Sequence, residues 1–234
     1  MRIYGSLDWG SLASFHVLDN RQFRSHQACP RALRGGSTMV GPECTERLDS
    51  RLTMLGEAQE RWLDGTLAAS RAHWNFVVQQ TLFAPAVRRT ARQGLVHWTD
   101  GWDGYPVARE RLLRSLVERR PSNPVFLGGD VHAAMAARIH ADPGNPDSPA
   151  VASEIVATSI TSQGFTSMIA SIAKENPHIL YAESQVRGYS LIELDRATLV
   201  AAHRGVETVK RADARVSTVA SATIDSGRPG IIRS

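Results

Sequence analysis

The stretch Pro124-Val125-Phe126-Leu127-Gly128-Gly129-Asp130-Val131-His132 decides how this chain is read. Its first five residues are a short apolar run, which predicts a buried strand. An Asp and a His two residues apart follow where that strand should end. In extended chain, residues two apart point to the same side of the backbone. A carboxylate and an imidazole aimed at one point can each hold a hard or borderline metal ion. In open α/β sheets, ligands bind at the carboxyl ends of strands. Asp130 and His132 are therefore candidate metal ligands. The structural alternative is that the pair caps a loop.

Upstream, Pro106 suits the first turn of a helix. That helix is expected to turn Val107, Leu112, Leu113, Leu116 and Val117 inward, with Arg109, Glu110, Arg114 and Glu118 outward. Before it, residues 84–104 read as a loop rich in Arg, Gly and Asp. Trp74-Asn75-Phe76-Val77-Val78 predicts another strand, ending at Gln79-Gln80. Strand, helix and the strand at 124–128 make a βαβ unit. Earlier still, Leu55, Ala58, Trp62, Leu63 and Leu67 recur at helical spacing, with Thr53 as the expected N-cap. Phe15 to Asp19 reads as a strand entering a loop. Beyond His132 the texture changes to a Pro/Asp/Gly loop at 141–149. Short strands at Glu154–Ser159, Tyr189–Leu194, Leu199–Arg204 and Ser217–Ile224 then predict an antiparallel meander.

The 234 residues fit one domain or two small ones, and 27 basic against 23 acidic residues give a net charge of +4. The tightest basic group, Arg88, Arg89 and Arg92, is far short of a nucleic-acid stripe. No apolar stretch approaches a membrane span. Neither a nucleic-acid nor a membrane partner is indicated. Met1 to Gly5 shows no charged region followed by an apolar one, so no export signal is read there. Cys29 and Cys44 lie in one Gly- and Pro-rich segment, as either a disulfide or two free thiols.

Several segments, taken in order, resemble the PhoD-like alkaline phosphatase/phosphodiesterase family of the metallophosphatase superfamily. They are Leu18-Asp19-Asn20-Arg21-Gln22-Phe23-Arg24, Thr53-Met54-Leu55-Gly56-Glu57-Ala58-Gln59 with Trp62-Leu63, and Trp102-Asp103-Gly104-Tyr105-Pro106 with Arg109. Gly129-Asp130-Val131-His132, Glu154 with Thr158 to Ser162 and Gly164, and Arg187-Gly188-Tyr189 complete the set. The match is to the family's C-terminal half and covers nearly the whole chain.

The resemblance implies an α/β fold: the C-terminal part of a metallophosphatase-type two-sheet sandwich flanked by helices, with an antiparallel C-terminal meander. It implies a phosphoester hydrolase, acting on phosphomonoesters or phosphodiesters, with calcium and iron as cofactors. Asp130 and His132 stand where the superfamily's late Gly-His-x-His block supplies metal ligands, Asp130 replacing the first His. An oxygen ligand there suits a hard cation such as calcium. Arg21 is a possible phosphate contact, because guanidinium matches phosphate in geometry and charge; the alternative is an Arg paired to Asp19 or another carboxylate. Gln80 ends a strand where a metal-binding His is more common, and is expected to bond to the ligands rather than to a metal.

The superfamily's earlier ligand blocks are an Asp on the first strand, a bridging Gly-Asp pair and an Asn- or Asp-His-Glu block. None is found in this sequence. Residues 1–234 are therefore expected to be a partial domain lacking its N-terminal part, inactive as it stands, with a complementary N-terminal chain as a partner. The competing class is a non-enzymatic remnant, or a small metal- or anion-binding module. The family is typically exported by the twin-arginine route, while this chain's own localisation is left open. His73 and His97 are expected at the surface or in packing. Asp103 is expected as a helix cap rather than a calcium ligand. The polar run Thr158 to Ser162 is expected to cap a strand end.

Overall fold

The computed structural model describes residues 1–33 and 36–233. The strands among them are β1 (Gly5–Trp9), β2 (Ala13–Val17), β3 (Met39–Val40), β4 (Trp74–Val78), β5 (Arg88–Thr90), β6 (Gly94–Trp98) and β7 (Pro124–Gly128). They continue as β8 (Ala134–His140), β9 (Ala150–Val156), β10 (Ile179–Glu183), β11 (Arg187–Leu194), β12 (Thr198–Val206), β13 (Val216–Asp225) and β14 (Ile232–Arg233). The helices are α1 (Glu57–Ala69), α2 (Pro106–Arg119) and α3 (Thr166–Glu175).

A seven-stranded sheet in the order β1-β2-β4-β7-β9-β8-β10 forms the centre. β2, β4, β7 and β9 run parallel, and β1, β8 and β10 are antiparallel to their neighbours. α1 lies between β2 and β4 and α2 between β4 and β7, because a parallel pair needs a long crossover, while β7 reaches β9 through the antiparallel β8. One face of the sheet carries Val77, Phe126 and Val156 beneath Leu63, Leu67, Leu113 and Ile169 of the helices. The other face carries Trp74, Phe76, Val125 and Ile155 against Leu199, Ala201, Ala222 and Ile224. Those last residues belong to a four-stranded antiparallel sheet, β11-β12-β13-β14. The alternation within β4 and β7 that serves both cores is the period-two rule at work. The expected α/β sandwich with an antiparallel C-terminal meander is what the chain forms, except that the meander's expected first strand, Glu154–Ser159, is instead β9, which ends at Val156 and runs parallel to β7 in the large sheet. Among the described residues no helix is long and apolar enough to cross a membrane.

Four local expectations need correction. Residues 84–104 are not a plain loop: β5 and β6 pair there, and β6 also pairs with β3. Thr53 does not cap α1, which starts at Glu57 behind Gly56 at φ +75°. Its hydroxyl instead accepts the Leu55 and Gly56 amides at 3.2 and 2.9 Å, closing a turn one step earlier. Arg109 is not outward: it is buried, whereas Val117 is exposed. Asp103 caps no helix; its carboxylate lies 2.6 Å from Arg109 Nη1 and accepts the Ala86 amide at 3.0 Å. A buried charge requires such a partner, and that exchange pulls Arg109 inward against its helical-wheel position.

Candidate active site

β7 stops at Gly128, and the chain turns at once. A Cβ on Gly128 would stand 2.1 Å from the Thr81 carbonyl, so only glycine lets the loop after β4 close over this strand end. Asp130 has φ +65° and His132 φ +56°. The Val131 amide bonds back to the Gly129 carbonyl at 2.8 Å across Asp130, which makes a three-residue turn. Positive φ is uncommon for residues with a side chain, and such turns are rare and strained. The same-side rule for extended chain therefore does not govern this pair; the tight turn sets where each side chain goes.

Asp130 turns toward Arg21. Arg21 Nη2 lies 2.5 Å from Asp130 Oδ2, and Nη1 lies 3.2 Å from Asp100 Oδ2. Arg21 is held in place by its own loop. The Asp19 carboxylate accepts the Arg21 and Gln22 amides at 3.0 and 2.9 Å, an Asx-type turn after β2. Asp19 therefore shapes the backbone, while the guanidinium is left for Asp100 and Asp130. Asp100 is shared: Arg24 Nη1 donates to it at 2.7 Å and Gln27 Nε2 at 2.5 Å. Three loops thus meet at one charged cluster, those after β2, β6 and β7.

His132 stacks on Phe165 with centroids 5.6 Å apart and planes 11° apart. Its Nδ1 lies 2.8 Å from the Gln163 carbonyl. A carbonyl only accepts, so Nδ1 carries the proton and Nε2 of the neutral ring keeps its lone pair. A ring oriented in this way is the usual arrangement of a metal-binding histidine. Gln80 sits behind the cluster. Its Oε1 accepts the Asn20 amide at 2.9 Å and its Nε2 donates to the Leu18 carbonyl at 2.7 Å. It braces the backbone that delivers Arg21.

Asp100, Arg24 and Gln27 escape sequence reasoning as members of this cluster. Asp100 is visible as an acidic residue three before Asp103, but no periodicity assigns its partners. Glu154 stands in a segment that carries the family resemblance, but nothing in the sequence assigns it a role. It is buried beneath the same strand ends, where its carboxylate accepts the Phe83 and Ala84 amides, each at 2.7 Å. Burial pushes its carboxyl up to about 7, against the lowering effect of those amides. Gln79 sits beside it and also accepts from Trp102 Nε1 at 3.2 Å. The histidines with packing expectations meet them: His73 Nε2 lies 2.9 Å from Ser226 Oγ, and Arg47 donates to His97 at 3.0 Å. Thr158 and Ser159 bond to the Val186 and Ser162 carbonyls, closing the loop after β9.

A carboxylate, an imidazole with a free Nε2 and a guanidinium suit an anion neutralised by a cation. In kind, the donors fit a hard or borderline metal. In number they fit one face of a site: no group of three or more His, Cys, Asp or Glu placed to hold a metal occurs among the described residues.

A family model described as PhoD-like phosphatase matches residues 1–202. Alkaline phosphatase D of Bacillus subtilis (strain 168) is 35% identical over 235 residues, a match spanning 99% of this chain and 39% of that protein. A solved structure described as the structure of PhoD matches with a TM-score of 0.88 at 34% identity, covering 100% of this chain and 44% of the other. The chain thus spans well under half the length of these relatives.

Proposed function

Since the chain belongs to the PhoD-like phosphatase family, we propose that it supplies one side of a phosphoester-hydrolysing centre. Asp130 and His132 are the metal ligands in this reading, and Arg21 is the phosphate contact. The observation that carries it is the division of labour around the turn after β7. Arg21 bridges Asp100 and Asp130, while the Gln163 carbonyl fixes the His132 ring with Nε2 free. The family resemblance names calcium and iron as the cations. Asp130 and His132 would hold such an ion from this side, and bound there it would supply Lewis-acid chemistry for phosphoester hydrolysis.

This chain's own part is to orient. Asp100 holds the Arg21 guanidinium on one side, so that Nη2 stays directed at the site when Asp130 turns to a cation. Arg24 and Gln27 in turn keep Asp100 fixed. Gln80 and Asp19 set the height of the Arg21 loop. With two ligands from this chain, turnover needs carboxylates and imidazoles from a complementary N-terminal segment. The isolated chain is therefore inactive in this reading. The competing reading is a metal- or anion-binding module without turnover, and the lone Asp–His pair favours it over a complete enzyme in isolation.

Manganese(II), which binds oxygen and imidazole donors, tests the ligand assignment on the chain itself. Amide NMR signals of residues 129–133 should broaden before all others as manganese is added. Asp130→Asn with His132→Ala should remove that selectivity. Broadening centred elsewhere, or unaffected by the two substitutions, would contradict the assignment.

A further inference from the structure

A cleft of about 310 Å³ opens beside Asp130. Its walls are unlike the charged cluster next to it: Met39, Trp98, Phe165, Met168 and Ile169 contribute, with Trp102 at the base. Trp98 spends its indole N–H on Ser37 Oγ at 3.0 Å, and Trp102 spends its own on Gln79. Both rings are thereby left to the cleft as apolar surface. The two charged groups on the lining are Asp103, already paired to Arg109, and Asp130, already paired to Arg21. Phe165 is 52% exposed at the mouth, although its ring also supports His132. A half-exposed aromatic beside thioethers and indoles is the composition of a ligand pocket rather than of a resting surface.

We propose that this cleft holds the organic group of the phosphoester, and that it selects an aromatic or short branched alkyl ester. The inference rests on the reading of Arg21, Asp130 and His132 as the phosphate and metal site. Asp103 and Asp130 are each neutralised by an arginine and the rest of the lining is largely apolar, so with Arg21, beside Asp130, receiving the anionic head, the cleft fits an amphiphile with a compact apolar body. The volume lies at the lower end of ligand pockets, roughly 300–1,000 Å³. That suits one or two fused rings and excludes burial of a long acyl chain. A polyol ester would leave its hydroxyls facing Met39, Met168 and Ile169 without partners, which costs affinity. Methionine side chains adapt to flat rings and make favourable sulfur–aromatic contacts.

The test uses this 234-residue chain and calorimetric titration with 1-naphthyl phosphate, glycerol 3-phosphate and 1-naphthol. Naphthyl phosphate should bind at least tenfold more tightly than glycerol 3-phosphate. Phe165→Ser with Met168→Gln should erase that ratio, and Ala86→Phe, which fills the cleft from another side, should erase it independently. Thermal melts confirm that each variant is folded. Arg21→Ala should weaken both phosphates alike and leave naphthol binding unchanged. Equal affinity for the two phosphates would overturn the proposal, as would a ratio that both cleft variants preserve. Self-association in place of ligand binding, seen by light scattering and lost in Ala86→Phe, would also overturn it. Naphthol binding that follows the cleft variants, with phosphate affinity indifferent to Arg21→Ala, would uphold the cleft and overturn the phosphate site.

Discussion

At the scale of single residues, Glu154 couples its protonation to folding. It is out of contact with water beneath the strand ends, and its carboxyl is raised to about 7 by burial. Between its ordinary value and 7, the unfolded chain has released a proton that the folded chain still holds. The contribution of this group to stability therefore falls as pH rises, and the fall is complete above 7. Its size is bounded at about 3 kcal/mol. The buried imidazoles act in the opposite sense. His16, His97, His178 and His203 are all lowered chiefly by burial, His203 to about 4, so their contribution is lost as pH falls below the ordinary histidine range. A raw stability–pH curve mixes the two. Urea unfolding of wild type and Glu154→Gln at pH 5 and pH 8 separates them. The glutamine variant should gain on wild type by up to about 3 kcal/mol across that interval, and a difference independent of pH would contradict the assignment. Nothing in the residues around Glu154 announces this. Its sequence neighbours are those of an ordinary strand, and the burial comes from the loop at Phe83–Ala84, distant in the chain. Arg21 and Asp130 were legible as candidates because each sits in a motif at a strand end. Their direct pairing was not, since 109 positions separate them.

At the scale of elements, the segment before α1 is held by a covalent tie. Cys29 and Cys44 are joined with Cα atoms 6.0 Å apart, across 15 positions of sequence. The same segment delivers Gln27 to Asp100 and pairs β3 with β6. Closing a loop of this length is worth about 3 kcal/mol in the chain-entropy picture. Replacing both cysteines by serine should lower urea-derived stability by about that amount, and an unchanged unfolding midpoint would contradict it. The sequence left disulfide and thiols both open, because spacing alone cannot bring two cysteines together. β4 and β7 were legible as apolar runs, and α2 and the strands of the meander by their periodicity. The seven-residue β8 was not, nor were the shortest strands. β5 has three residues and β3 two, and both depend on β6 to exist as strands. α3 follows a run of Ser, Thr, Gln and Gly and lies under β10, with Ile169 and Ile172 as its buried residues. Two apolar anchors in ten residues are too few for a period to stand out.

At the scale of the whole molecule, the sandwich is uneven. β1 lies at one edge of the large sheet, with Leu7 68% and Trp9 73% exposed. Leu7 is opposite Phe15, and Phe15 packs on Phe76 in the core between the two sheets. An exposed apolar edge of this kind invites a further strand or layer. The solved relative carries more than half its length outside the matched region. In the proposed reading, a complementary N-terminal segment covers this edge and supplies the remaining metal ligands. Reconstitution tests the central claim most directly. The chain should be co-expressed with the N-terminal segment of a PhoD-like relative, and hydrolysis of nitrophenyl phosphate and its diester measured with calcium and iron. The account predicts no hydrolysis above buffer from the chain alone, and turnover from the pair that falls at least a hundredfold on Asp130→Asn or His132→Ala, on the order of removing one transition-state contact. Turnover near 10 per second from the chain alone, the usual scale for an enzyme, would contradict it, as would a reconstituted pair indifferent to both substitutions.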